Sequence, residues 1–289
     1  MLRTRLLVGT LLAAGAGLIL CWDRPPHFPG WLCLSLLAGL LATRELLALF
    51  PASAQPRPGF TLAGVLILLA TNWWPWQAHL LLPFTLTTPW LAVFAVFLAL
   101  AWLAVAVETL NYDGAGQSTS RLTQTMFTLI YLGLFPAGLI RLRWWPESLA
   151  LTALALTIFV PKCGDIGAYF TGRLIGRHPL APRLSPKKTW EGCVGGLITS
   201  MLTAVLLSET APIFPGGWRE ALAFGFLIGL AAVVGDLAES LLKRDALVKD
   251  ASASVPGFGG LLDVIDSVIL AAPVAYLWFS WHQLSAPHS

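Results

Sequence analysis

Asp236 and Glu239 stand three residues apart, and so do Asp263 and Asp266. Around the first pair runs Gly235-Asp236-Leu237-Ala238-Glu239-Ser240-Leu241-Leu242-Lys243-Arg244. On a helix, Asp236, Glu239, Ser240 and Lys243 fall at i, i+3, i+4 and i+7, on one stripe. Two carboxylates this close in an apolar helix repel each other, and a cation nearby relieves the repulsion. A solvated helix end with an ordinary Glu–Lys pair is the plainer alternative, against which the depth of Asp236 in its apolar run speaks. The second pair opens the last apolar run, directly after Pro256-Gly257-Phe258-Gly259-Gly260. A glycine-rich turn entering a helix offers backbone N–H groups at the positive end of the helix dipole, which suits a phosphate. Carboxylates at that place could instead cap the helix. It is not a P-loop, because no Gly-Lys-Ser/Thr follows. Four acidic residues near one end of two apolar helices point to a magnesium site more strongly than either pair alone.

A third group is basic. Asp165-Ile166-Gly167-Ala168-Tyr169-Phe170 and Gly172-Arg173 close one apolar run, and Ser185-Pro186-Lys187-Lys188-Thr189-Trp190-Glu191-Gly192 opens the next. At a membrane face such cations attract anionic headgroups or a nucleotide. Membrane topology alone would also place them there. Lys162 and Asp165, at i and i+3, read as a simple salt pair. The sum is an anion pocket with basic residues for phosphates and acidic residues for Mg²⁺. That is equipment for phosphoryl or nucleotidyl transfer onto a lipid, where metal and lysine charge offset the repulsion between two anions.

These groups need elements that hold them at a membrane face, and the composition supplies them. Of 289 residues, 56% are hydrophobic and only 11% charged, and mean hydropathy is +0.73. A soluble domain carries roughly 25% charged residues, so a soluble enzyme is excluded. The aromatic content excludes disorder. A net charge of +3 argues against nucleic acid as a partner. The expected fold is all-α: a polytopic transmembrane helical bundle of about nine spans, with its N-terminus cytoplasmic. The spans fall near residues 6–22, 31–50, 60–74, 89–110, 123–140, 149–170, 192–207, 221–242 and 261–281. The first reads as a signal anchor behind Arg3 and Arg5. With that end inside, Arg173, Arg177, Arg183, Lys187 and Lys188 are cytoplasmic, as are Lys243, Arg244 and Lys249; Arg141 and Arg143 fall on the other side. Residues 1–148 read as scaffold helices and 149–289 as the catalytic region of one integrated membrane domain. Arg44, Glu45 and Glu108 are the scaffold's exceptions, each required to face protein or water, for pairing or for function. Cys21, Cys33, Cys163 and Cys193 form no Cys-x-x-Cys and read as small buried apolar residues.

At its polar residues the chain resembles the phosphatidate cytidylyltransferases, also called CDP-diacylglycerol synthases. Their signature begins Ser-x-x-Lys-Arg, then four residues, then Lys-Asp; here these are Ser240, Lys243, Arg244, Lys249 and Asp250. It continues through Pro-x-His-Gly-Gly to Asp-Arg-x-Asp, here Pro256, Phe258, Gly259, Gly260, Asp263, Val264 and Asp266. The Ser-Pro-Lys-Lys-Thr-Trp-Glu-Gly string and the Asp-x-x-Ala-Tyr stretch are also family-like, in the same order. The resemblance covers residues 162–273. Phe258 and Val264 depart from the usual His and Arg, removing a proton carrier or phosphate donor and a fixed cation.

The resemblance implies an enzyme of phospholipid biosynthesis that converts CTP and phosphatidate to CDP-diacylglycerol and pyrophosphate. It implies Asp236, Asp263, Asp266, Lys243 and Lys249 as catalytic residues. Asp236, Asp263 and Asp266 would hold Mg²⁺, with Glu239 and Asp250 as further candidates and a second cation left open. Ser185, Lys187, Lys188, Arg173, Ser240, Arg244, Gly259 and Gly260 would contact substrate. Its partners would be CTP, phosphatidate and membrane lipids, with a lean towards a homodimer. The expected place is a bacterial inner membrane, with the active site at the cytoplasmic face. A CTP-dependent lipid kinase is the near rival; a transporter and an inactive scaffold are more distant ones.

Overall fold

The computed structural model describes residues 14–15, 17–20, 23, 28–73, 89–112, 114, 116–145, 147–257 and 259–285. The expected first span falls largely outside them, as do Cys21, Trp74, Trp76 and Phe258. The regular elements among the described residues are helices and one short hairpin. Seven helical stretches are long and apolar enough to cross a membrane: Pro29–Leu49, Trp90–Leu110, Ser118–Leu142, Leu149–Ile175, Trp190–Ser208, Trp218–Asp245 and Leu262–Trp281. Pro58–Thr71 is apolar but shorter. The all-α membrane architecture therefore stands, whereas nine spans and a cytoplasmic N-terminus are not established among these residues.

The chain divides into two compact units. The first comprises Met1–Ile140 and Val248–Val264, so the segment after Leu247 rejoins the N-terminal helices. It contains α1 (Pro29–Leu49), α2 (Pro58–Thr71), α3 (Pro89–Leu110), α4 (Ser118–Thr128), a π-helical turn (Leu129–Leu134) and most of α5 (Phe135–Leu142). Proline opens α1 and α2, where the missing N–H costs no intrahelical bond. Glycine notches seat leucines between these helices. A Cβ on Gly64 would lie 2.8 Å from Leu129, and one on Gly133 would lie 2.7 Å from Leu68. Leu46, Leu68 and Leu129 are wholly buried there. Trp102, Phe94 and Leu98 of α3 are exposed, as side chains facing lipid are. Glu108 is buried between Arg57 at 3.2 Å and Arg121 at 3.3 Å, so pairing accounts for this intramembrane charge.

The second unit comprises Arg141–Leu247 and Ile265–Ser289. It holds α6 (Glu147–Ile175), β1 (Pro179–Ala181), β2 (Ser185–Thr189), α7 (Trp190–Ser208), α8 (Trp218–Asp245) and all but the first turn of α9 (Leu262–Ser285). Helices α6, α7 and α8 meet along small residues. A Cβ on Gly196 would lie 2.9 Å from the Gly164 carbonyl oxygen, and one on Gly192 would lie 2.9 Å from that of Ala168. A Cβ on Gly225 would lie 2.6 Å from the Met201 Cα. Backbones this close gain dispersion contacts that lipid cannot supply, the usual basis of helix association in membranes. Ser200 Oγ, wholly buried, donates to the Val160 carbonyl across the same seam at 3.2 Å. Far from the acidic end, Phe224 packs on Trp278 and Phe279, ring centroids 5.9 and 5.0 Å away, and binds α8 to α9.

The basic segment expected as a loop is an antiparallel hairpin, with Pro179 opposite Thr189 and Ala181 opposite Ser185. Thr189 caps α7, its Oγ1 accepting from Gly192 N at 3.1 Å. Glu191 accepts the Arg177 and His178 amides at 3.1 and 3.2 Å, which fastens the other end of the hairpin.

Candidate active site

Gly235 sets the site. A Cβ there would lie 2.7 Å from the Asp266 carbonyl oxygen, so α8 and α9 touch backbone to backbone. The next residue along α8 is Asp236, and Glu239 lies one turn further. One carboxylate oxygen each from Asp236, Glu239 and Asp266 fall within 4.8 Å of one another. Glu239 is 1% exposed and Asp266 6%. Three carboxylates so close, two of them buried, are held against strong mutual repulsion, which is tolerable only with cations at hand.

The chain supplies part of that positive charge. Lys243 Nζ lies 2.5 Å from Glu239, one helical turn away. Lys188 Nζ, from β2, lies 2.5 Å from Asp236. Lys162 Nζ, from α6, lies 3.2 Å from Asp266 Oδ1 and 3.2 Å from Asp165 Oδ2. Ser267 fixes both neighbours: its amide donates to Asp266 Oδ1 at 2.6 Å and its hydroxyl to Asp165 Oδ2 at 2.9 Å. Four carboxylates thus meet three ammonium groups. Hard oxygen donors in this number and proximity fit Mg²⁺, which favours carboxylates over nitrogen or sulfur.

A cavity of about 480 Å³ opens beside this group. Its polar lining includes Asp165, Asp236, Arg173, Lys187 and Lys188. Gly164, Gly196 and Gly229 line it where the helices touch; a Cβ on Gly164 would fall against the Ser200 hydroxyl and one on Gly229 would lie 3.0 Å from it. Arg173 Nη1 donates to the Tyr169 hydroxyl at 2.9 Å, and its guanidinium lies 6.0 Å from that ring's centroid. Around the basic hairpin, Phe170, Leu174, Ile175 and Trp190 are exposed apolar side chains.

The structure brings together Asp236, Glu239, Asp266, Lys243 and Lys188 of the residues expected from sequence. Arg173 and Lys187 join them through the cavity. Ser240 is buried on α8 and Ser185 is half-buried at the start of β2. Arg244 Nε donates to the Leu184 carbonyl at 3.2 Å, tying α8 to the hairpin turn. Lys249 and Asp250 are exposed in the segment that belongs to the first unit. Asp263, also of that unit, accepts the amides of Ala251 at 3.0 Å and Gly260 at 2.6 Å on Oδ2. The expectation of free N–H groups at the glycine-rich turn is corrected here. The Gly259 amide donates to the Val255 carbonyl at 3.1 Å, and those of Leu261 and Leu262 donate to Glu45. Protein acceptors take them, because two carboxylates lie at the helix start. Val264 is half-buried in the first turn of α9. Sequence reasoning read Lys162 and Asp165 as a local pair only. A charged residue directly after Pro161, inside an apolar helix, was the signal for more.

Known proteins resemble this chain in sequence. The pattern of the Cytidylyltransferase family matches residues 3–282. The chain is 38% identical over 197 residues to the phosphatidate cytidylyltransferase of Pseudomonas aeruginosa, covering 66% of this chain and 71% of that one. The corresponding protein of Brucella melitensis is 33% identical over 229 residues, covering 76% and 84%. Phosphatidate cytidylyltransferase 5, chloroplastic, of Arabidopsis thaliana is 37% identical over 185 residues, and the match spans 46% of that longer chain. With nearly its whole length matched, and with its apolar helices, the chain belongs to the Cytidylyltransferase family and is an integral-membrane nucleotidyltransferase.

Proposed function

We propose that this enzyme transfers the cytidylyl group of CTP to phosphatidate, giving CDP-diacylglycerol and pyrophosphate. The observation that carries the reading is the three-carboxylate group beside a cavity lined by Arg173, Lys187 and Lys188. A phosphatidate oxygen attacks the α-phosphorus of CTP; the new O–P bond forms as the bond to the β-phosphate oxygen breaks. Phosphatidate is already ionised, so no strong general base is needed. The difficulty is charge. Two unit charges about 4 Å apart repel by about 1 kcal/mol in water and about 4 kcal/mol at the effective dielectric of a protein surface. Arg173, Lys187 and Lys188 offset that repulsion by contacting the phosphates, and their fixed positions bring the attacking and leaving oxygens into line.

Asp236, Glu239 and Asp266 would hold Mg²⁺. When bound, Mg²⁺ supplies charge stabilisation for the developing pyrophosphate. Lys243 holds the buried Glu239 carboxylate, and Lys162 does the same for Asp266 and Asp165. The basic hairpin and the C-terminal end of α8 favour the cytoplasmic face of a bacterial inner membrane for this chemistry.

The test uses purified protein in detergent with Mg²⁺, phosphatidate and CTP labelled on the α-phosphorus. Label in lipid with one pyrophosphate released per lipid is the expected result. Label entering lipid only from γ-labelled CTP, with CDP released, would replace this reading with a lipid kinase. No transfer from either label would overturn both.

A further inference from the structure

Glu45 is a buried carboxylate in α1, 7% exposed, far in sequence from every residue discussed as reactive. Its carboxylate gathers donors from one segment. Oε1 accepts the Ser252 hydroxyl at 2.7 Å, the Leu261 amide at 3.0 Å and the Ser254 hydroxyl. Oε2 accepts the Leu262 amide at 2.7 Å. Leu262 is the first residue of α9. A Cβ on Gly260 would lie 2.5 Å from Oε2, so glycine at 260 is what lets the carboxylate reach the helix start. A negative charge at a helix N-terminus is favoured by the orphan N–H groups and the dipole. Here the cap is supplied by another helix, whereas Asp263 secures the same turn from within by binding the Gly260 and Ala251 amides.

We propose that Glu45 is a positioning residue for catalysis, a helix cap delivered from α1 that fixes where α9 begins. This rests on the reading of Asp266 as part of the active site. Asp266 lies one turn after Leu262 on the same continuous helix. The start of a helix sets the height and rotation of every residue in the following turn, about 1.5 Å and 100° per residue. Fraying of that first turn displaces Asp266 from Asp236 and Glu239, and misplacement by about 1 Å is costly in catalysis. Glu45 touches no reacting atom; it acts through α9.

The full-length protein in detergent tests this with Glu45→Ala and Glu45→Gln, each checked for an intact melting transition. Hydrogen exchange is followed in peptides covering 251–266 and, as a control, 192–208. The expected result for Glu45→Ala is exchange at least about tenfold faster in 251–266 alone. With it goes a kcat loss of about tenfold or more, with KM for CTP changed less than about threefold. Glu45→Gln is expected between wild type and Ala, since its amide oxygen still accepts while its NH₂ confronts an N–H. If Glu45→Ala does not fold, Gly260→Ala displaces the carboxylate from the other side, and the same exchange and kcat losses are expected. A folded Glu45→Ala or Gly260→Ala enzyme with wild-type kcat overturns the proposal alone. A wild-type protein that transfers no cytidylyl group overturns the functional reading, and this inference with it.

Discussion

Two charge groups in this chain, each containing buried carboxylates, are built on opposite plans. In the first unit, one carboxylate, Glu108, lies between two guanidinium groups, Arg57 and Arg121. In the second, Asp165, Asp236, Glu239 and Asp266 share three ammonium groups, from Lys162, Lys188 and Lys243. The first group over-supplies positive charge to a single acid. The second keeps acids in excess, and packs three of them within 4.8 Å. A purely structural cluster gains nothing from carboxylates crowded together. Crowding is useful where a further cation must be received, so the sign of the imbalance separates structure from function.

The sharpest break in that comparison is Asp266→Asn. It removes one crowded acid and is expected to lower cytidylyl transfer by about a thousandfold or more, with the melting temperature held within a few degrees. Labelled-CTP turnover alongside a thermal melt checks it, and near-normal turnover would dissolve the distinction. Gly235→Ala should act on the same group through geometry. Its Cβ would press on the Asp266 carbonyl, and a loss of about a hundredfold in kcat is expected without any loss of charge. Lys188→Met removes the partner of Asp236 and a cation of the cavity. A rise in KM for CTP of about tenfold should be visible in steady-state kinetics, together with a smaller fall in kcat. The smallest effect should come from the first unit. Arg57→Ala removes a guanidinium whose side chain is 39% exposed, so a cost of about 1 kcal/mol or less in stability is expected. Its kcat per folded molecule should stay within about twofold, and a large catalytic loss there would mean that the two groups are not separate in kind.

The helical nature of the fold, the apolar runs and the acidic stripe of α8 were legible because each is written in local spacing. Asp236 and Glu239 share a helix face by arithmetic alone. What spacing does not encode is the partner across the fold. Lys162 reads as a neighbour of Asp165, yet it also reaches Asp266 from 104 positions away. The glycine-rich turn reads as a phosphate cradle because its amides are visible in the sequence and Glu45, which takes two of them, stands in another helix. The hairpin was missed for a different reason: its strands of three and five residues are rich in proline and lysine, with no alternation of apolar residues to mark them. The run at 60–74 is already short for a span in the sequence, and the helix there runs fourteen residues, Pro58–Thr71.

The cavity of about 480 Å³ has a consequence for how such an enzyme meets its substrate. That is the size of a pocket for a drug-sized molecule, enough for polar heads and too small to swallow two acyl chains. The tails must stay among their neighbours in the bilayer while the head enters, beside exposed Phe170, Leu174 and Ile175. Encounter then happens in two dimensions. The quantity that governs saturation is the mole fraction of substrate in the membrane around the protein, and diluting the bilayer with inert lipid should slow the enzyme even when the total amount of substrate in the tube is unchanged.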